Sequence, residues 1–409
     1  MVLGLARSGE AAALALARRG VAVVGVDRNE ELDAGRLRAA GVEVVLGADD
    51  SELLDGVDLL VKSPGVPAEA PLAAAARERG VTIWSEVELG SRLMANPILG
   101  VTGTNGKTTT SELLGAVFRA AGKPVAVAGN VGRPLTGLYG AVADDAWIVC
   151  ELSSFQLEDI AELRPRVAVL LNLTPDHMDR HADMDEYRAA KLRIFENQQP
   201  EDVAVVPRGF EEIPGRGRRV EFTLEDDLPA KPLLPGEHNR ENAAAATAAA
   251  RAAGVADSAI AEALRTFEGV PHRLELVREV DGVRFVNDSK ATNPDAAERA
   301  LSAYPPGIRL ILGGSRKGSS FSRLARGARE SGVAQAYLIG ESADDLAEAL
   351  AAEGVRFAYS GDLETAVREA FADADPGEVV LLSPACASFD QFHDFEERGE
   401  RFRELVESL

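Results

Sequence analysis

Along most of the chain, short β-branched runs alternate with Ala/Leu-rich stretches of helical period, the pattern of a parallel sheet with helices on both faces. A first helix ends over residues 14–19. Strands are expected at 21–26 and 59–62, the second stopping at Ser63-Pro64-Gly65 because Pro64 cannot donate to a ladder. A second unit opens near Asn96-Pro97 with a strand at 98–102, a loop at 103–106 and an amphipathic helix at 107–121. Further strands follow at 125–128, 147–151 and 167–171, then a helix around 187–197. Residues 207–235, rich in Pro, Gly and Arg, read as irregular or edge structure. The alanine-rich run 242–253 returns to helix, its small side chains suiting close packing. A third unit begins near Gly269-Val270-Pro271. Runs at 274–280 and 283–286 flank Asp281-Gly282, a hairpin signal, and strands at 308–312, 334–339 and 379–382 alternate with helices. No repeat of short period is visible.

The 409 residues suggest two or three domains at about 150 residues each. With 46% hydrophobic and 27% charged residues, the composition is globular and argues against disorder. The formal net charge of −22 repels polyanions, which disfavours general nucleic-acid or anionic-membrane binding and means that any anionic ligand needs a local basic site. No apolar run is long enough to span a bilayer, and the first residues enter a strand and a glycine turn with no basic, apolar leader. Cys150 and Cys386 read as reduced structural thiols of a cytoplasmic protein, with a disulfide as the alternative.

Gly103-Thr104-Asn105-Gly106-Lys107-Thr108-Thr109 lies between a strand and a helix, where a phosphate cradle must lie. Its glycines let backbone N–H groups converge on phosphates, the helix N-terminus adds positive potential, Lys107 neutralises β/γ oxygens, and the Thr108 hydroxyl can ligate Mg²⁺. Val101 stands where the strict pattern has glycine, so the loop is a variant. The alternative is an ordinary glycine turn; the strand-loop-helix context and the Lys-Thr pair favour nucleotide binding.

Glu151 ends a strand at the carboxyl edge of the sheet, where ligands bind in such folds; it reads either as a metal carboxylate or as a helix-start acid. His177, in an acidic loop after another strand, reads on its own more simply as a solvated surface residue. Lys191 is at odds with a metal site, because an ammonium beside Mg²⁺ is repelled. Only a modification that inverts its charge would bring it to the metal.

Together these pieces resemble the Mur ligase family, ATP-dependent amide ligases of peptidoglycan precursor synthesis, over essentially the whole chain. Beyond the phosphate loop, the resemblance rests on Gly129-Asn130-Val131-Gly132, Glu151-Leu152-Ser153-Ser154-Phe155-Gln156-Leu157, Asp176-His177-Met178-Asp179-Arg180, Ala190-Lys191-Leu192-Arg193 and Gly236-Glu237-His238-Asn239 through Asn242. It continues with Pro271-His272-Arg273, Asn287-Asp288-Ser289-Lys290-Ala291-Thr292-Asn293 and Ser383-Pro384-Ala385-Cys386-Ala387-Ser388. The segment 287–293, and Ser388-Phe389-Asp390-Gln391-Phe392 with Phe395 and Arg398-Gly399, look like the D-glutamate-adding branch. The Asp-Asn-Pro-Arg tetrapeptide typical of ligases for diaminopimelate or lysine is absent.

The resemblance implies three consecutive α/β domains: a Rossmann-like one at 1–95 for the UDP substrate, a P-loop NTPase-like parallel sheet at 96–269 for ATP, and a Rossmann-like one at 270–409 for the incoming amino acid. It implies that Gly103, Asn105, Gly106, Lys107, Thr108 and Thr109 bind ATP, with Thr108 and Glu151 on one Mg²⁺ and His177 and Lys191 serving a second. Lys191 would be a carbamate, which resolves the charge problem. Asn242, Arg273 and Asp288 would hold adenine, phosphates and ribose. Arg7 and Ser8 would meet the diphosphate, Asp27 and Arg28 the uracil, and Asn130 the UDP-linked substrate. Thr292, Lys317, Ser388 and the Phe395 backbone N–H would hold D-glutamate. The partners implied are UDP-N-acetylmuramoyl-L-alanine and D-glutamate, with a monomeric protein inserted in no membrane and bound to no nucleic acid.

The loop Gly4-Leu5-Ala6-Arg7-Ser8-Gly9 departs from G-x-G-x-x-G at Ala6, which weakens a dinucleotide oxidoreductase reading. Two departures from the family pattern stand out. The chain begins within the first strand, where the family usually carries several earlier residues, and 207–235 is shorter than usual, which implies lost or reduced strands. The competing readings are another ligase of the superfamily, such as the alanine-adding Mur enzyme or folylpolyglutamate synthase, and a catalytically silent nucleotide-binding regulator.

Overall fold

A computed structural model describes residues 1–176, 180–210, 212–315 and 320–409. The alternating pattern resolves into three sheets. The first orders β3-β2-β1-β4-β5, from β1 (Val2–Leu3), β2 (Val24–Asp27), β3 (Glu43–Leu46), β4 (Leu59–Lys62) and β5 (Thr82–Ser85), all parallel. The second orders β11-β10-β9-β6-β8-β7, from β6 (Ile98–Thr102), β7 (Val125–Gly129), β8 (Trp147–Glu151), β9 (Val167–Leu170), β10 (Val203–Pro207) and β11 (Arg218–Phe222), again all parallel. The third orders β12-β13-β17-β14-β15-β16, from β12 (Glu275–Val280), β13 (Val283–Asn287), β14 (Ile308–Gly313), β15 (Val333–Ile339), β16 (Phe357–Gly361) and β17 (Val379–Leu382). Only the β12–β13 pair is antiparallel. Its Asp281-Gly282 turn has φ of +50° and +80°, the left-handed pair a two-residue hairpin needs.

The chain forms two compact units: residues 1–233 with 238–267, and residues 234–237 with 268–409. The first unit holds the first two sheets. In each sheet, alternate residues of a strand enter opposite cores. Leu99, Val101, Val149, Val167 and Val169 pack with Leu113, Leu114 and Val117 of the helix Lys107–Ala120, while Ile98, Ile148, Cys150, Ala168 and Leu170 line the other face. Ala243 to Ala246, Ala249 and Ala250 of the helix Glu237–Ala252 are buried against the first of these faces, so the alanine run is a packing device.

Differences from the pattern reading are local. β11 lies inside the stretch read as irregular or edge structure and is the outermost strand of its sheet, its Arg218, Arg219 and Glu221 exposed as suits an unpaired edge. The expected helix at 187–197 is the α-helix Met184–Leu192 followed by a single 3₁₀ turn, Arg193–Phe195. β3, β5, β10 and β16 were not picked out by the pattern. Both cysteines are free, buried thiols. Among the described residues, no helix is long and apolar enough to cross a membrane.

Candidate functional site

In the central sheet, β6 lies between β9 and β8, where the strand order reverses, and the glycine loop leaves its carboxyl end. Gly103 (φ +152°) and Gly106 (φ +85°) take conformations that L side chains rarely adopt, and a Cβ on Gly106 would lie 2.2 Å from Asn242 Oδ1. The helix carrying Asn242 is thereby seated against the loop. Asn172, which follows β9, braces it: its Oδ1 accepts from Asn105 N at 2.9 Å and its Nδ2 donates to Asn105 O at 3.1 Å. The Thr104 hydroxyl joins Thr174 and the Tyr187 hydroxyl, each at 3.0 Å. Lys107 folds back to donate to Gly103 O (2.9 Å) and Thr104 O (2.8 Å). The Thr109 hydroxyl, on the first turn of the helix, is buried with no partner among the described residues, so the loop's end holds an unsatisfied donor.

Glu151 closes β8, opposite Val101 of β6, and is buried. Its Oε1 accepts from Asn130 Nδ2 at 3.1 Å. The helix Met184–Leu192, capped by the Asp183 side chain on Asp185 N and Glu186 N, delivers Lys191 from the other side. Lys191 Nζ is buried, donates to Gly103 O at 2.9 Å and stands 4.6 Å from the Tyr187 ring centre. Two amines therefore share the Gly103 carbonyl. Burial, then the charge of Lys107, pushes the Lys191 ammonium well below the usual lysine range, against the opposing pull of Asp176 and Glu151. His177 lies outside the described residues. Thr108 and Glu151 offer hydroxyl and carboxylate oxygens, the hard donors Mg²⁺ takes. Among the described residues no group of three His, Cys, Asp or Glu side chains is placed to hold a metal ion.

In the first sheet, Gly4 (φ +82°) turns the chain after β1, and a Cβ on Gly9 would lie 1.7 Å from Gly4 O. Asp27 stabilises this turn, accepting from Leu5 N at 2.6 Å and Asn29 N at 2.8 Å, so its carboxylate holds the loop itself. Arg7 is exposed and reaches Gly132 O of the 129–132 loop at 3.4 Å; Ser8 is half-buried beside it in the chain. Arg28 is exposed and paired with Asp49 at 2.8 Å.

The second unit gathers its candidates on loops at the carboxyl ends of β13 and β17. Asp288 is buried, accepting from Ser383 Oγ at 2.7 Å and Leu274 N at 3.2 Å. Burial pushes its carboxyl up to about 7 against the Ser383 hydrogen bond and the Arg273 charge. Arg398, one turn into the helix Phe395–Glu407, ties the two loops together, donating to Ser289 Oγ (2.9 Å), Ser289 O (2.8 Å) and Cys386 O (3.1 Å). Ser289 Oγ donates in turn to Phe395 O at 2.8 Å, and Ser388 is buried on the same loop as Cys386. Thr292 is half-buried on the 287–293 loop; Lys317 lies outside the described residues.

Asn172, Tyr187 and the bracing part of Arg398 were not assigned from sequence. Signals existed: Asn172 lies just past the carboxyl end of β9, at the sheet edge where Glu151 closes β8, and Tyr187 lies four residues before Lys191, on the same helix face.

Three family models match the chain: Mur ligase MurD-like, N-terminal domain over residues 1–85, Mur ligase middle domain over 101–214, and Mur ligase, glutamate ligase domain over 272–386. A protein of Pelotomaculum thermopropionicum named UDP-N-acetylmuramoylalanine--D-glutamate ligase is 44% identical over 448 residues, covering 100% of this chain and 97% of its own. One of the same name from Anaeromyxobacter dehalogenans is 44% identical over 451 residues, covering 99% and 96%. Among solved structures, UDP-N-acetylmuramate-alanine ligase MurC of Thermotoga maritima shares the fold at a TM-score of 0.62 and 20% identity, over 100% of this chain and 98% of that one. E. coli FolC in complex with DHPP and ADP does so at 0.61 and 20%, over 85% and 99%.

Proposed function

The chain belongs to the Mur ligase family, and from that premise we propose that it joins D-glutamate to UDP-N-acetylmuramoyl-L-alanine at the expense of ATP. The observation that carries the reading is full-length similarity to ligases of that name, combined with a phosphate loop flanked by Glu151 and a buried, charge-depressed Lys191. The reaction needs an activated acyl group, because a carboxylate oxygen is a poor leaving group. An oxygen of the alanine carboxylate attacks the γ-phosphorus, the bond to ADP breaks, and an acyl phosphate forms. The neutral amine of D-glutamate then attacks the acyl carbon; phosphate leaves, and the amine gives up a proton to form the amide.

Lys107 and the loop N–H groups offset repulsion between the two reacting anions, so the protein contributes positioning and electrostatics. Mg²⁺, when bound through Thr108 and Glu151, supplies charge neutralisation at the phosphates. The depressed Lys191 amine is suited to adding CO₂ with loss of a proton, becoming a carbamate whose oxygens replace a repelled ammonium. The first sheet's loop, with Arg7 and Ser8, would take the UDP end. Asn242, Arg273 and Asp288 would take the nucleoside and phosphates of ATP, and Thr292, Ser388 and Phe395 the amino acid. The use of ATP and a UDP-linked precursor supports a cytoplasmic reaction.

Phosphate release should require D-glutamate and UDP-N-acetylmuramoyl-L-alanine together when L-alanine, D-glutamate, L-glutamate and diaminopimelate are each offered with each candidate acceptor. Turnover with a different amino acid or acceptor would overturn the assignment. Lys191→Ala should lose activity and regain part of it with short carboxylic acids; a variant that no such acid restores would remove the carbamate from the reading.

A further inference from the structure

Glu151 is gripped at two points by the loop that follows β7. Gly129 pairs with Glu151 across the parallel β7–β8 ladder, and at φ +117° its backbone comes so close that a Cβ would lie 2.1 Å from Glu151 O. Asn130 uses this approach twice: its N–H donates to Glu151 O at 2.9 Å, and its Nδ2 donates to Glu151 Oε1 at 3.1 Å. The loop is closed by Gly129 N to Arg133 O at 2.9 Å, so Asn130 is presented by a braced turn. Among the described residues, Asn130 is the only side chain hydrogen-bonded to the Glu151 carboxylate, while the rest of its own surface is exposed.

From this geometry we propose that Asn130 is a positioning residue for Glu151: it fixes the carboxylate through Oε1 and leaves the second oxygen for the cation, in addition to meeting the UDP-linked substrate. A carboxylate otherwise free to rotate pays for its orientation on binding a metal. An amide that already holds one oxygen removes that entropy cost, and outer partners of this kind typically set metal affinity by about 10–100-fold. The same contact would connect the acceptor loop to the metal carboxylate, so order imposed on one favours order at the other.

The inference rests on Glu151 as a metal ligand, and its test separates the two ideas. Mn²⁺ is titrated into the ADP-loaded full chain with no UDP substrate present and followed by electron paramagnetic resonance, for wild type, Asn130→Ala, the similarly sized Asn130→Leu, Glu151→Gln and the Asn130→Ala/Glu151→Gln pair. The expected result is Mn²⁺ affinity about 10-fold weaker in both Asn130 variants, with no further loss when Asn130→Ala is added to Glu151→Gln. If Glu151→Gln weakens Mn²⁺ binding and neither Asn130 variant does, Asn130 is only an acceptor contact and the inference fails while the metal reading stands. Unchanged affinity in Glu151→Gln overturns both. Circular dichroism on each variant identifies a misfolded protein, and the two Asn130 replacements provide independent chances of a folded one.

Discussion

Two buried carboxyl groups, Glu86 and Asp288, are held at about 7 chiefly by loss of hydration. Glu86 is the simpler case: its Oε1 accepts from Thr136 N and Oγ1, each at 2.6 Å, while Oε2 is buried without a partner. Its folded value lies above the ordinary 4.5, so between those limits the folded state keeps a proton that the unfolded chain has lost. That stabilising contribution is full below about 4.5 and lost as pH rises through about 7, a swing of about 3 kcal/mol at most. Glu86→Gln copies the protonated form and keeps the Oε1 acceptor. It should therefore melt with the wild type at pH 5 and above it at pH 8.5; equal melting at both pH values would contradict the burial argument. Nothing in the local sequence Ser85-Glu86-Val87-Glu88 distinguishes this acid from a surface one, because its environment comes from Thr136, 50 residues away.

At the scale of elements, the helix Glu86–Leu93 joins the first sheet to the second within one compact unit. Ser85 caps it through its side chain, and Ser85 N donates to Asp159 O at 2.8 Å. Glu88 turns into the seam and accepts from Ala161 N, Glu162 N and Leu163 N at 2.8 to 3.1 Å, with Arg92 Nε on its Oε1 at 2.6 Å. The buried Lys62–Asp159 pair at 3.1 Å lies in the same seam. Glu88→Ala would strip three partly or fully buried N–H groups of their acceptor and should cost about 3 kcal/mol or more in denaturant unfolding. A loss under about 1 kcal/mol would mean water replaces the carboxylate.

Two of the strands that the pattern misses are short edges. β3 and β5 are four-residue edge strands with partly exposed faces, too brief for alternation to register. β11 carries three charges in five residues, which hid a strand whose edge position requires them. The buried four-residue strands β4 and β17 are legible residue for residue as compact apolar runs, β4 up to Lys62; β10 is equally buried and apolar over 203–206, and the pattern reading passes over it all the same.

For the whole molecule, on the proposed function, the charge of −22 means that three anionic substrates would have to be gathered by local cations, for which Arg7, Lys107 and Arg273 are the candidates. If each sheet serves one substrate, impairing the amino-acid site should leave activation of the acceptor intact. Thr292→Ala should raise KM for D-glutamate about 10-fold, the size expected for losing one hydrogen bond to a charged ligand. Acyl phosphate trapped with hydroxylamine in the absence of D-glutamate should form at the wild-type rate. Loss of that first step would place Thr292 in ATP or acceptor binding instead.

Sequence alone determined the three α/β units in order, the glycine loop between strand and helix at 103–106, the hairpin turn and the family, because each is written in near-neighbour chemistry: strand periodicity, glycines where the chain turns, and motifs in fixed order. Tertiary structure alone decided which of these residues act on one another. It lowered Lys191 by burying it beside Lys107, set Asn130 on Glu151, turned Asp27 inward to hold its own loop, and placed Glu86 and Glu88 in a seam. Desolvation and hydrogen-bond geometry depend on distances between atoms far apart in the chain, and spacing along a sequence carries no such distances.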